Sequence, residues 1–257
     1  MSRRGGGVGR EQQDADLGGS WEDAAWEEPS WTELGRDDGV MGEIVLRRRP
    51  TPLGPLVDLV CAGVMVMDDQ DTESERELAT AALAALEGDR LDVVIGGLGL
   101  GFTLLTALAD PRVATATVVE VEAAIVGWVG EGLVPATTGV LDDPRTRVVV
   151  GDVTQVLPAL PEAGADAVLL DVDNGPSFLV AQTNAGLYDR ASLAVAGTRL
   201  RPGGVLAIWS ASAAPELSAA MADAVGPVHV HRSTVRREGR DLDYWVLLAR
   251  RPGARAT

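Results

Sequence analysis

Apolar and polar positions fall in blocks along the chain, and the block edges predict a strand–helix series. Leu91 to Ile95 is a short apolar run, as a buried parallel strand requires. Gly96, Gly97, Gly99 and Gly101 break it, and Phe102 to Leu108 reads as the helix that follows. Ala116 to Val121 is a second strand with Glu120 at its C-terminal end. Residues 146–150, 165–170 and 205–210 continue the strands. Helices are expected from Glu122 to Val129, after Asp152 with a break at Pro158, over 187–200 and over about 214–225. Strands over 227–233 and 244–249 close the chain, joined by a polar turn at 236–241. Ahead of all this, 42–48 and 56–66 read as strands around the turn region RRRPTPLGP. A helix is expected from Thr72 to about Leu86, with Thr72 as N-cap and Glu75 completing a capping box.

Alternating strands and helices imply a parallel sheet with helices on both faces. The final turn is too short for a parallel crossover, so the last strand pair is antiparallel. Sheets that hold S-adenosylmethionine typically end in this way, whereas NAD-binding sheets end in parallel strands. The expected architecture is α/β: a Rossmann-like S-adenosylmethionine-dependent methyltransferase fold with a seven-stranded sheet, preceded by a small N-terminal β domain. Three parts follow: an acidic, flexible tail at 1–40, a β unit with a linking helix at 41–87, and the Rossmann-like domain at 88–252. The tail carries Trp21, Trp26 and Trp31, whose five-residue spacing makes no helical stripe.

Composition narrows the partners. The 257 residues carry a formal charge of -16, which repels nucleic acid backbones and attracts cations. Every basic side chain other than histidine is arginine. No apolar run approaches the ~18 residues of a membrane helix, and MSRRGGGVGR offers no secretory signal. The lone Cys61 forms no intramolecular disulfide, which fits a cytoplasmic setting. His229 and His231 share a strand face without a third ligand, so no metal site is expected.

The candidate chemistry lies at the carboxyl ends of the strands, where such sheets bind ligands. The spacing Gly97-x-Gly99-x-Gly101 lets the backbone turn tightly beneath a ligand. Glu120, nineteen residues past Gly101, is placed to grip ribose hydroxyls. Asp152, after Gly151 and before Val153, is placed to accept from an adenine amino group or to cap the next helix. Asp171 and Asp173 lie nearest a substrate entrance, where a carboxylate can hold an ammonium or take its proton. Tyr188 and Trp209 border the pocket or pack in the core.

The pieces VVIGGLGLG, VVEVE, VVVGDV, AVLLDVDNGP, LYDRASL and LRPGGVLAIWS occur in one order. In these the chain, from about Gly42 to Arg250, resembles the spermidine synthase (polyamine aminopropyltransferase) family and its methyltransferase-like relatives. The resemblance implies a homodimer, Glu120 as ribose acid, Asp152 as adenine contact and Asp171 as the acid receiving the amine proton. It further implies Gly97, Gly99, Gly101, Val153 and Asp171 at the cofactor, Asp173 as a second catalytic acid, and Asn174, Tyr188 and Glu75 at the substrate. Three positions depart from the family pattern, and the family's Pro-Thr-Tyr-Pro stretch before the last strand is absent. Gly99 stands where the family has an aspartate for the ammonium of decarboxylated S-adenosylmethionine. Val66 and Glu75 stand where it has a polyamine-binding Gln and Tyr. Full S-adenosylmethionine therefore fits better than the decarboxylated form, because a carboxylate at the turn meets only backbone N–H groups. The expected function is methyl transfer to a small nucleophile, an amine by preference. The alternatives are aminopropyl transfer from decarboxylated S-adenosylmethionine, another alkyl transfer or cyclisation of the cofactor, and a non-catalytic scaffold.

Overall fold

The structure, a computed structural model, describes residues 30–172, 186–237 and 240–253. Asp173, Asn174, Trp21 and Trp26, singled out in the sequence, lie outside the described residues.

The first sheet is a four-stranded antiparallel meander of β1 (Thr32–Gly39), β2 (Gly42–Thr51), β3 (Gly54–Cys61) and β4 (Val64–Asp68). Two differences from the sequence expectation stand out. Residues 32–39 form a strand although their acidic composition groups them with the tail. Within the hairpin Arg36 pairs with Glu33 and Glu43. The run 56–66 is broken into two strands at Ala62-Gly63, where both residues have positive φ (48° and 78°). A two-residue hairpin loop of that kind matches the twist of the flanking strands.

Helix α1 (Glu73–Ala84) leads into the second sheet. Its capping box does not form. The Thr72 hydroxyl accepts from Arg76 Nε at 3.0 Å, and Glu75 takes the Ser74 hydroxyl at 2.6 Å. There follow β5 (Leu91–Gly96), α2 (Phe102–Ala109), β6 (Val113–Glu120), α3 (Ala123–Gly130), β7 (Thr146–Val150), α4 (Val153–Ala159), β8 (Ala165–Leu170), α5 (Arg190–Arg199), β9 (Leu200–Ser210), α6 (Pro215–Ala224), β10 (Val228–Arg237) and β11 (Arg240–Arg250). The strand order is β10-β11-β9-β8-β5-β6-β7. Strands β5 to β9 are parallel, and β11 and β10 reverse direction, as the short final turn requires. The sheet reverses its winding between β5 and β8, which opens a crevice beyond their carboxyl ends.

Each face of this sheet has its own core. On one, Ile44, Leu46, Val57 and Leu59 of the meander pack with Leu78, Ile95, Phe102 and Ile125. On the other, Leu157, Leu193, Leu217 and Met221 of α4, α5 and α6 cover Val94, Val168 and Ile208. The first core thus fuses the meander to the Rossmann-like part, and each contributes a wall to the site between them. No helix among the described residues is long and apolar enough to cross a membrane.

Four helices end against an arginine from elsewhere in the chain. Arg112 donates to Leu83 O in the last turn of α1 and to Leu86 O just beyond it, and Arg145 to Leu108 O of α2. Arg199 donates to Leu160 O after α4, and Arg251 to Gly197 O, Thr198 O and Leu200 O at the end of α5. The last carbonyls of a helix have no partner within it, and a guanidinium can meet two of them at once. Arg112 and Arg145 sit in identical Asp-Pro-Arg turns, whose aspartates Asp110 and Asp143 aim the guanidinium.

Candidate active site

Between the meander and the sheet's carboxyl edge lies a cavity of about 570 Å³. That is within the ordinary range for a small-molecule site. The meander supplies Leu59, Cys61, Val66 and Met67, and the β1–β2 turn supplies Val40 and Met41. The start of α1 adds Ser74 and Glu75. The strand ends add Glu120, Asp152, Asp171 and Trp209, and Asp243 and Tyr244 come from β11.

The glycine turn forms the floor. Gly97 has φ 94°, and a Cβ there would lie 2.2 Å from the carbonyl oxygen of Asp171, so no other residue fits. Gly99 has φ 51°, and its missing Cβ would begin 2.7 Å from Met67 Sδ. The Leu100 N–H donates to that sulfur at 3.3 Å. A thioether therefore occupies the space a side chain at position 99 would enter. Gly101, with φ 91°, precedes α2 as its N-cap. Gly97 and Gly99 line the cavity and Gly101 does not figure in its wall.

Three carboxylates are built in with care. Glu120 accepts from the Leu98 N–H at 2.7 Å and the Glu122 N–H at 2.9 Å, one on each oxygen. Burial pushes its carboxyl up, while N–H groups of Glu122, Leu98 and Gly99 oppose the rise. Asp152 caps α4, accepting from Thr154 N–H at 2.8 Å and the Thr154 hydroxyl at 2.7 Å, and it also borders the cavity beside Val153. Its two expected roles, capping and facing the pocket, are compatible. Asp171 directly follows β8; its N–H donates to Gly96 O at 2.8 Å and its Oδ2 accepts from the Thr103 hydroxyl at 2.7 Å. Burial pushes Asp171 up, and the hydroxyl pulls it back.

Glu75 is the fourth. Burial first, and then the charge of Asp171, push its carboxyl up to about 7. This has a measurable consequence. Glu75 binds its proton more tightly folded than unfolded, so the fold gains from protonation below the unfolded value near 4.5. The gain is lost as pH rises toward about 7. Glu75→Gln should therefore leave stability unchanged near pH 4 and raise it at pH 8, by up to about 3 kcal/mol from the size of the shift. Thermal denaturation of the ligand-free protein across pH checks this, and parallel curves for the two proteins would refute it.

Other expected site residues divide. Trp209 lines the cavity beside Tyr244, the two rings tilted by 32° with centroids 5.3 Å apart, and its buried Nε1 has no partner among the described residues. Tyr188 does not share that wall. The short turn before α5 buries it, 9% exposed, in the second core with Leu187 and Leu193. His231 pairs with Glu77 at 3.0 Å. Sequence reasoning missed Met67, Thr103, Glu122 and the β11 residues. Only a three-dimensional neighbour distinguishes them from ordinary turn, helix and strand residues.

No family model matches the chain. It is 28% identical over 203 residues to a polyamine aminopropyltransferase of Mycobacterium tuberculosis, covering 75% of this chain and 37% of that protein. It is 29% identical over 126 residues to putrescine N-methyltransferase 1 of Nicotiana tabacum, covering 48% of this chain and 31% of that protein. The chain spans less than half the length of these curated relatives. Among solved structures, spermidine synthase from Thermotoga maritima superposes with a TM-score of 0.70 at 18% identity, over 85% of this chain and 72% of that one. The small meander, the sheet with its reversed final pair and the cavity between them are thus a spermidine synthase fold, in a chain similar in sequence to both polyamine aminopropyltransferases and putrescine N-methyltransferases.

Proposed function

We propose that this protein is an enzyme that transfers a methyl group from S-adenosylmethionine to a small amine. The observation that carries the choice of methyl is Met67 over Gly99. Besides lacking a carboxylate, the floor of the turn is filled by a thioether. Position 99 offers an ammonium placed there no counter-charge. The cavity suits the ligand, with a glycine turn, a buried acid and an apolar wall in one volume.

S-Adenosylmethionine supplies an electrophilic methyl on a sulfonium. The chain's own work is to hold and orient. Glu120 takes the ribose, the turn takes the amino-acid end, and Asp152 and Val153 border the base. An acceptor ammonium enters beside Glu75 and Asp171, and Asp171 removes one proton to expose the nitrogen lone pair. The rest is in-line positioning, which can supply several kcal/mol of the barrier on its own. Asp173, two residues beyond Asp171, is the second candidate base, with Asn174 beside the substrate. The reading carries with it the homodimer that the resemblance implies, and a reducing cytoplasmic setting that the lone, buried Cys61 fits.

Aminopropyl transfer from decarboxylated S-adenosylmethionine is the second reading. It is favoured by the longer alignment with an aminopropyltransferase, 75% of this chain against 48% for the methyltransferase. Incubation with either cofactor and a panel of diamines, with mass spectrometry of the sulfur product, separates the two. S-Adenosylhomocysteine is expected. 5′-Methylthioadenosine formed only from the decarboxylated cofactor would replace the first reading by the second.

A further inference from the structure

Glu122 is 2% exposed, yet no role in binding or chemistry has been given to it. Its side chain accepts from two backbone N–H groups of the β1–β2 turn, Met41 at 2.7 Å and Val40 at 3.0 Å. Its own N–H donates to Glu120 Oε1 at 2.9 Å. One residue thus joins the buried acid at the end of β6 to a turn some eighty positions earlier in the chain. The approach is close. A Cβ on Gly39 would fall 2.2 Å from Glu122 Oε2, and one on Gly35 would fall 2.4 Å from Trp128 Nε1. Strand β1 therefore lies against α3 and its N-cap at two glycines, where the Trp128 ring and the Glu122 carboxylate take the space a side chain would enter. The turn so held puts Val40 and Met41 on the cavity wall that Val121 and Ile125 also line. Val40 remains 76% exposed. A lone exposed valine is ordinary. One clamped at a cavity rim by a buried acid is placed there by the fold.

We propose that Glu122 is a positioning residue for the nucleoside end of the cavity. Its backbone aims Glu120 at the ribose, and its side chain holds Val40 and Met41 as an apolar cover over the sugar and base. The inference rests on the adenosyl-cofactor reading above, but not on which group is transferred. It makes the first hairpin part of the binding site.

The test uses S-adenosylhomocysteine as probe and calorimetry on the full chain. Glu122→Gln leaves one oxygen to accept and points an amide N–H₂ at a backbone donor, so the turn is released on one side. Val40→Ser with Met41→Ala removes the cover and leaves the clamp intact. Each is expected to raise Kd about tenfold, the scale set by losing one apolar contact area or one charge-assisted hydrogen bond. Combined, they should raise Kd no further than the worse of the two, since the clamp acts through the cover. A merely structural role for Glu122 would lower the melting temperature and leave the two effects on Kd independent. Effects that multiply, or an unchanged Kd in Glu122→Gln, overturn the proposal. If Glu122→Gln does not fold, the turn variant decides alone. A tenfold rise at normal melting temperature supports the cover, and an unchanged Kd overturns it. A wild-type protein that binds no S-adenosylhomocysteine removes the cofactor reading and this inference with it. Normal wild-type binding with unaffected variants removes only this inference.

Discussion

Asp171→Asn should lower turnover by roughly 10²–10⁴ and leave cofactor affinity within a fewfold, the usual share of a positioned base. The substitution keeps the shape and can keep the Thr103 contact, since the amide oxygen still accepts from the hydroxyl at the position now held at 2.7 Å. What it removes is the proton acceptor. Burial raises the Asp171 carboxyl, and a sulfonium or ammonium nearby would lower it again, so the carboxylate is expected to be ionised when both ligands are present. Steady-state rates with the best amine of the panel, together with calorimetric Kd values, check this. Normal turnover would pass the role to Glu75 or Asp173. Loss of cofactor binding with an unchanged rate at saturation would make Asp171 a binding residue instead.

Glu120→Ala should weaken S-adenosylmethionine binding at least 100-fold, or about 3 kcal/mol, because charge-assisted hydrogen bonds to the ribose are lost. The same change strands the Leu98 and Glu122 N–H groups that Glu120 now satisfies. The glycine turn should loosen as well, and the melting temperature fall, since an unsatisfied buried N–H costs about 1–3 kcal/mol. Calorimetry and thermal denaturation of the same preparation measure both effects. Unchanged affinity in a folded variant would remove Glu120 from the site.

What the sequence made legible follows from how local each signal is. Apolar runs bounded by glycine place β5, β6, β7 and β8 to within a few residues, because a buried parallel strand announces itself without its neighbours. A polar turn too short for a crossover reveals the reversed pair β10–β11. Strand β1 was hidden, because its residues are mostly polar and its partners are the facing strand β2 and helix α3. Glu75 shows why motif spacing misleads. Three residues after Thr72 it looks like a capping partner, but the fold turns it toward Asp171, ninety-six positions away. Tyr188, at the start of an expected helix, and Trp209, in an expected strand, are both candidates for the pocket or the core, and only packing sends one to the second core and the other to the cavity. Met67 had no sequence signal at all, since its meaning lies in what Gly99 lacks.

The arginines that close the helices have one further property in common. Arg112 reaches to Leu83 and Leu86, Arg145 to Leu108, Arg199 to Leu160, and Arg251 to Gly197 and Leu200. Every acceptor lies upstream of its arginine. A chain leaving the ribosome N-terminus first thus has each helix end already made when the side chain that closes it emerges. None of these four closures waits for a segment still to be synthesised. The order of the sequence is therefore compatible with an order of assembly in which each of these helix ends is closed by a stretch made after it.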